Sequence, residues 1–261
     1  MFSNFDFRFD NISSKDMDAV IVNMDSSQES NFGIIQSVIE DKISGRDIPY
    51  FYGIDRQTYT IPITITKTDG NGQLMRLDYE SRKKLVHWLV KDTYKEFKSD
   101  DYPDQVFFII FTEGKSYQFC NDEGYLTLTA RLNSPYSYQE KVTTTKNYST
   151  SVSNIIYMNN LSNVIDKYKP ELEFTLIGDA TNITITNLTT NKSLIFTGLS
   201  KGETIYVNNQ TGKIISSLGT TRLDKCNRNW LSLDYGENKM LIVTNLGGCK
   251  IKFITQFPMA F

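Results

Sequence analysis

The sequence predicts a mainly β protein with one α-helix, in two domains. Residues 1–139 read as a β-sandwich that carries the helix and a β-hairpin arm, and residues 140–261 as a second β-sandwich. Three features point there. The last third of the chain is a series of short apolar–polar alternating runs separated by Asn and Gly. One amphipathic helix interrupts an otherwise strand-like first half, and the composition changes after Ser134 to Tyr138.

From the N-terminus, Phe32 to Ile65 is strand-rich and loosely amphipathic, with a turn at Gly45 to Asp47. Tyr59 to Thr66 alternates, although Pro62 removes a backbone donor and favours an edge or a strand start. It runs into Asp69 to Gly72, a hairpin signal, so Thr60 to Met75 is assigned to a projecting arm. The candidate arm residues are Thr60, Ile61, Ile63, Ile65, Gly70, Asn71, Gly72 and Leu74. An exposed edge of this kind invites pairing with another chain.

The helix is placed at residues 79–98, capped by Asp78 with Glu80 in its first turn and stopped by Asp100 to Pro103. Leu85, Val86, Leu89, Val90 and Phe97 form its apolar face, flanked by Trp88 and Tyr94. The opposite side presents Lys84, His87, Lys91 and Lys95, followed by Lys98. This is either a solvated face or a ridge that meets an acidic neighbour. Val106 to Phe111 and Tyr125 to Leu132 then read as core strands.

Beyond the boundary, Thr143 to Asn154 is polar and reads as a linker or an exposed first strand. Strands follow at Leu172 to Leu176, Ile183 to Ile185, Leu194 to Phe196, Ile205 to Val207, Lys213 to Ile215, Lys239 to Thr244 and Cys249 to Phe253. Each turn between them contains Asn or Gly, the spacing of a sandwich or barrel.

A formal net charge of −2 gives no basic surplus for nucleic-acid backbones. No run is long and apolar enough to insert in a membrane, and the N-terminus lacks the pattern of a secretory signal. Three cysteines, Cys120, Cys226 and Cys249, are spaced too widely for a zinc knuckle and read as reduced thiols. The Asn-x-Ser/Thr sequences at Asn11, Asn147, Asn160, Asn182, Asn187, Asn191 and Asn209 read as turn and strand composition. His87 is the one histidine, and no phosphate loop, dinucleotide fingerprint or zinc-protease motif is present. No catalytic residue, metal site or cofactor is assigned, and the chain reads as a non-enzyme.

The chain resembles the distal tail proteins of long-tailed, non-contractile bacteriophages. The resemblance rests on the order of several pieces: the opening Phe2 to Phe7, the Ser44 to Asp47 turn, the helix with Trp88 and Leu89 before an acidic break, and the strand Tyr125 to Tyr136. In the second half it rests on Asn187 to Leu194, Gly198 to Ile205, Leu233 to Met240 and a last strand. The segment from Asp47 to Pro49 departs from the family, which often has another glycine there.

The resemblance implies an N-terminal sandwich assembling into a hexameric homo-oligomer, with each arm belting its neighbour, and an outward galectin-like, jelly-roll C-terminal sandwich. It further implies a virion ring at the tail tip, made in the bacterial host cytoplasm. The ring would join the tail-tube protein to the tail-tip protein and carry receptor-binding proteins, and genomic DNA would pass through without specific binding. Two alternatives stay open. A carbohydrate-binding module would use Tyr206, Trp230 and Tyr235 to stack a sugar, unless these fill the core. A tail-tube protein would polymerise rather than close.

Overall fold

The computed structural model of the chain describes residues 6–22, 36–69, 71–118, 123–164 and 167–260. These form two compact units, the first running to Gln139 and the second spanning Glu140–Met259.

The first unit contains β1 (Phe7–Phe9), β2 (Ile12–Ser13), β3 (Ala19–Ile21), β4 (Gln36–Asp41), β5 (Tyr50–Arg56), β6 (Thr60–Lys67), α1 (Tyr79–Leu89), β7 (Lys95–Ser99), β8 (Phe107–Gln118), β9 (Gly124–Leu132) and β10 (Ser137–Tyr138). Seven strands make one antiparallel sheet in the order β2-β1-β7-β8-β9-β6-β3. Its two edges, β2 and β3, are joined by a short 3-10 turn at Ser14–Met17 and by Asp18. So short a link spans at most about 20 Å when extended. The sheet must therefore curl, and its two layers are parts of one sheet.

The inner face and α1 share one core. Phe7 stacks on Trp88 with ring centroids 5.3 Å apart, and Phe9 meets Phe111 edge-on at 5.3 Å. The Trp88 Nε1–H donates to the Phe9 carbonyl at 3.0 Å, satisfying the polar atom that burial would otherwise strand. The Ser81 amide donates to Asp78 Oδ1 at 2.8 Å, which caps α1 as the sequence predicts and holds that carboxyl below its ordinary pKa.

Two assignments in this unit are corrected. The helix ends at Leu89 rather than reaching residue 98. Val90 is already extended, and Asp92 and Thr93, whose side chains compete for local backbone groups, follow in a bend. Lys95 and Phe97 consequently lie on β7, with Phe97 buried. Trp88 takes the core position, while Val86 and Val90 stay half exposed.

Thr60 to Met75 does not project from the unit as the sequence predicts. β6 lies between β9 and β3, and Ile61, Ile63 and Ile65 are buried. Pro62 sits opposite Thr129, ahead of the stretch at Ile65–Lys67 that β3 covers, so its missing donor breaks no ladder there. The turn beyond is tight: Asp69 Oδ1 accepts the amides of Asn71 and Gln73, Gly72 adopts φ +80°, and Leu74 bridges back to Thr68. Gly70 lies outside the described residues.

The second unit contains β11 (Val142–Tyr148), β12 (Ser153–Asn160), β13 (Glu171–Leu176), β14 (Ile183–Asn187), β15 (Lys192–Phe196), β16 (Thr204–Asn208), β17 (Lys213–Ser216), β18 (Gly236–Thr244) and β19 (Cys249–Thr255). Two antiparallel sheets, β11-β19-β13-β16-β17 and β12-β18-β14-β15, face each other across one core. The inward residues are those the alternation marks: Leu172, Phe174, Ile183, Ile185, Leu194, Phe196, Ile205, Val207, Ile242, Ile251 and Phe253. The polar run after the boundary is the exposed edge strand β11. Phe257 joins this core against Tyr168, with ring centroids 4.7 Å apart. Cys249 is fully buried, which pushes its thiol up to about 11, and Cys120 lies outside the described residues.

A buried asparagine network staples the segment before β18. Asn238 accepts the Asp234 amide at 3.0 Å, donates to the carbonyls of Asp234 and Gly236, and receives the Asn187 amide at 3.0 Å. Asn187 also donates to the Ser232 carbonyl, and Asn160 to the Leu233 carbonyl. Asn209 donates to Pro170 and accepts from Leu231. Three of the sequon asparagines, Asn160, Asn187 and Asn209, are therefore buried structural groups. Replacing Asn238 by alanine is expected to cost at least ~1–3 kcal/mol through stranded buried partners, read from urea unfolding.

Glu203 is buried behind β16 and held by the Arg222 guanidinium at 2.6 and 3.0 Å and by the Ser200 amide at 3.0 Å. Burial alone would raise its pKa, but hydrogen bonds from Arg222, Ser216 and Ser200 outweigh it and hold the carboxyl below its ordinary value. The folded pKa is thus below the unfolded one. The stabilisation is complete above the unfolded value of about 4.3 and is lost as pH falls through the folded one. Glu203→Gln is expected to flatten the acid limb of a melting-temperature-against-pH series; an unchanged slope would refute the linkage.

Candidate assembly interface

The feature of the first unit that its core does not account for is the β4–β5 hairpin. These strands pair with each other and, among the described residues, with no other strand. No residue from Gln36 to Arg56 is buried. Val38, Ile39, Ile43, Ile48, Tyr50, Phe51, Tyr52 and Ile54 are between 43% and 72% exposed. A bulge between Ile39 and Glu40 twists the ribbon, and Gly45 at φ +86° turns it. Arg46 lies 4.1 Å over the Tyr50 ring.

A lone two-stranded hairpin is marginal in water, and apolar side chains on both faces of a ribbon whose edges pair with no other strand among the described residues suit a surface that something covers. The sequence marks this segment as strand-rich with a Gly45 turn but does not assign it to a projecting arm. The overlooked signal is the adjacent apolar pairs Val38 with Ile39 and Tyr50 with Phe51, which place large side chains on both faces.

The structure separates the predicted basic face. Lys84 and His87 are exposed on α1, but Lys91 and Lys95 reach Asp10 at 3.6 and 3.3 Å. Two of the four residues thus pair within the chain, where they tie the β1–β2 turn to the α1–β7 connection and the start of β7. The three aromatic residues are not brought together. Tyr206 stands on the outward side of β16 near Glu171, and Tyr235 is 79% exposed beside Gly236. Trp230 packs on the core and over the Gly212 turn, where a Cβ would lie 3.0 Å from its Cζ2. Among the described residues no ring contact joins them, and no group of three His, Cys, Asp or Glu is placed to hold a metal. No described helix is long and apolar enough to cross a membrane.

The fold is shared with solved phage proteins. The Dit protein of phage SPP1, described as a paradigm of the hub adsorption apparatus in Gram-positive infecting phages, is similar at 15% identity with a TM-score of 0.69, covering 97% of this chain and 99% of that one. A chain of the phage P2 baseplate in its activated conformation with Ca is similar at 10% identity and a TM-score of 0.52, covering 97% and 98%. No curated protein matches. A family model described as a phage tail protein N-terminal domain matches residues 2–134, and one described as a phage tail C-terminal domain matches residues 136–255. With both halves matched in order, the chain belongs to this family of phage tail proteins.

Proposed function

We propose that this chain is a distal tail protein, a non-enzymatic hub that closes into a ring of about six copies at the end of a long non-contractile tail. The observation that carries this reading is the end-to-end likeness to the SPP1 hub protein, 97% of this chain on 99% of that one. The unpartnered β4–β5 hairpin supports it, because a ring subunit needs a surface that its own fold leaves unsatisfied. In this reading the chain is made in the host cytoplasm, resides in the virion and joins the tail-tube protein to the tail-tip protein. A galectin-like outer domain would carry receptor-binding proteins, and DNA would pass through the ring unbound.

Negative-stain images of the purified chain test it. Closed rings with a central channel are expected. Open-ended tubes would favour a tail-tube protein, and isolated globular particles binding glycans on an array would favour a lectin.

A further inference from the structure

Asn71 and Gly72 form the chain's one Asn-Gly bond. The side chain of an asparagine is open to attack by the backbone nitrogen of the residue that follows it. Glycine hinders that closure least, because it has no Cβ and adopts backbone angles that other residues reach only at a cost. The structure leaves this bond accessible to water. Asn71 and Gly72 are both exposed in the turn after β6, Gly72 takes φ +80°, and a Cβ built on it would meet nothing within 4 Å among the described residues. The Asn71 side-chain amide has no hydrogen-bond partner among the described residues; its backbone N–H is held by Asp69 Oδ1 at 2.9 Å. No other asparagine combines these features. Asn160, Asn187, Asn209 and Asn238 are buried and bonded through their side-chain amides. Asn11 and Asn191 share the left-handed turn conformation, but Ile12 and Lys192 follow them and place a Cβ beside the attacking nitrogen.

We propose that Asn71 is a self-modifying site, at which the chain deamidates without an enzyme, and that Asp69 is its brake. The Gly72 nitrogen gives up its proton to hydroxide and bonds to Asn71 Cγ; the Cγ–Nδ2 bond breaks and the side-chain nitrogen leaves as ammonia. Water then opens the cyclic imide on one side to aspartate, or on the other to isoaspartate, whose backbone runs through Cβ and Cγ. Overall one water is consumed and one ammonia released. In the closed turn the Gly72 N–H is committed to the Asp69 carbonyl at 3.0 Å, and Asp69 Oδ1 also takes the Gln73 amide at 2.8 Å. These bonds occupy the attacking nitrogen and keep the turn shut, so the reaction waits for local opening. The product alters the turn. A new carboxylate appears beside Asp69, next to a cleft that Asp6, Asp18, Asp69 and Gly72 line with Lys15, and the net charge becomes one unit more negative than −2. Isoaspartate also lengthens the backbone, which breaks the spacing that lets Gly72 reach Asp69 and Leu74 bridge to Thr68. The exit of β6 is thereby loosened as the chain ages, whether or not the chain forms a ring.

The test incubates the purified full-length chain in mildly alkaline buffer made with heavy-oxygen water and follows the tryptic peptide Thr68–Arg76 by mass spectrometry. The peptide is expected to convert to aspartate and isoaspartate forms carrying the heavy oxygen, ahead of every other asparagine in the chain. Asp69→Ala is expected to speed the conversion about tenfold, equivalent to ~1.4 kcal/mol off the barrier. Asn71→Gln should abolish the acidic band that the wild type develops on isoelectric focusing. No conversion at Asn71, faster conversion at another asparagine, or an acidic band that persists in Asn71→Gln overturns the site. An Asp69→Ala chain that converts no faster than the wild type overturns the brake. Should Asp69→Ala not fold, wild type held unfolded in guanidinium replaces it: conversion faster than in the folded chain supports the brake, and equal conversion overturns it.

Discussion

Replacing Trp88 by alanine is expected to lower the stability of the first unit by about 3–5 kcal/mol, the range for truncating a large buried aromatic. Trp88 is 1% exposed and is the largest fully buried side chain among the described residues. Its loss removes the stack on Phe7 and the edge contact with Phe9, and leaves the Phe9 carbonyl without its 3.0 Å donor. Trp88→Phe keeps part of the ring packing and should cost less. The check is urea unfolding followed by circular dichroism, with the transition of the second unit as an internal control. An alanine variant as stable as the wild type would mean that α1 is not anchored as described.

Excising Gln36 to Arg56 and bridging the gap with a short Gly-Ser link is expected to have the reverse profile. The hairpin contributes no buried residue to the core, so the unfolding midpoint should barely move. Assembly should fall from a ring to single copies. Side chains between 43% and 72% exposed add little to the stability of the isolated chain but much to an interface that buries them. A large loss of stability on excision would show that the hairpin belongs to the fold of its own chain.

Much of this architecture is legible in the sequence because period-2 alternation is imposed directly by a half-buried sheet. Every strand read in the second half, from Leu172 to Phe253, is present there, and its inward residues are the alternating ones. The errors have separate physical causes. Thr60 to Lys67 alternates so regularly because it is a core strand, and regular alternation is the opposite of what an arm shows. The β4–β5 hairpin carries large apolar side chains on both exposed faces, a pattern without the period-2 alternation that marks a half-buried strand. Helix periodicity from Leu85 to Phe97 runs across Val90, Asp92 and Thr93 without registering the break, since Lys95 to Ser99 pairs with strands distant in sequence. The Asn160, Asn187, Asn209 and Asn238 network is likewise visible only in three dimensions; in sequence these residues look like turns.

The most direct test of the account is the light-scattering mass of the full chain over a range of concentrations, measured beside the hairpin excision. The account predicts a closed species of about six copies of the 30.0 kDa chain for the wild type, unchanged on dilution, and a single copy for the excision. A wild type that remains at one copy throughout, or an excision that still closes into the same ring, would contradict it.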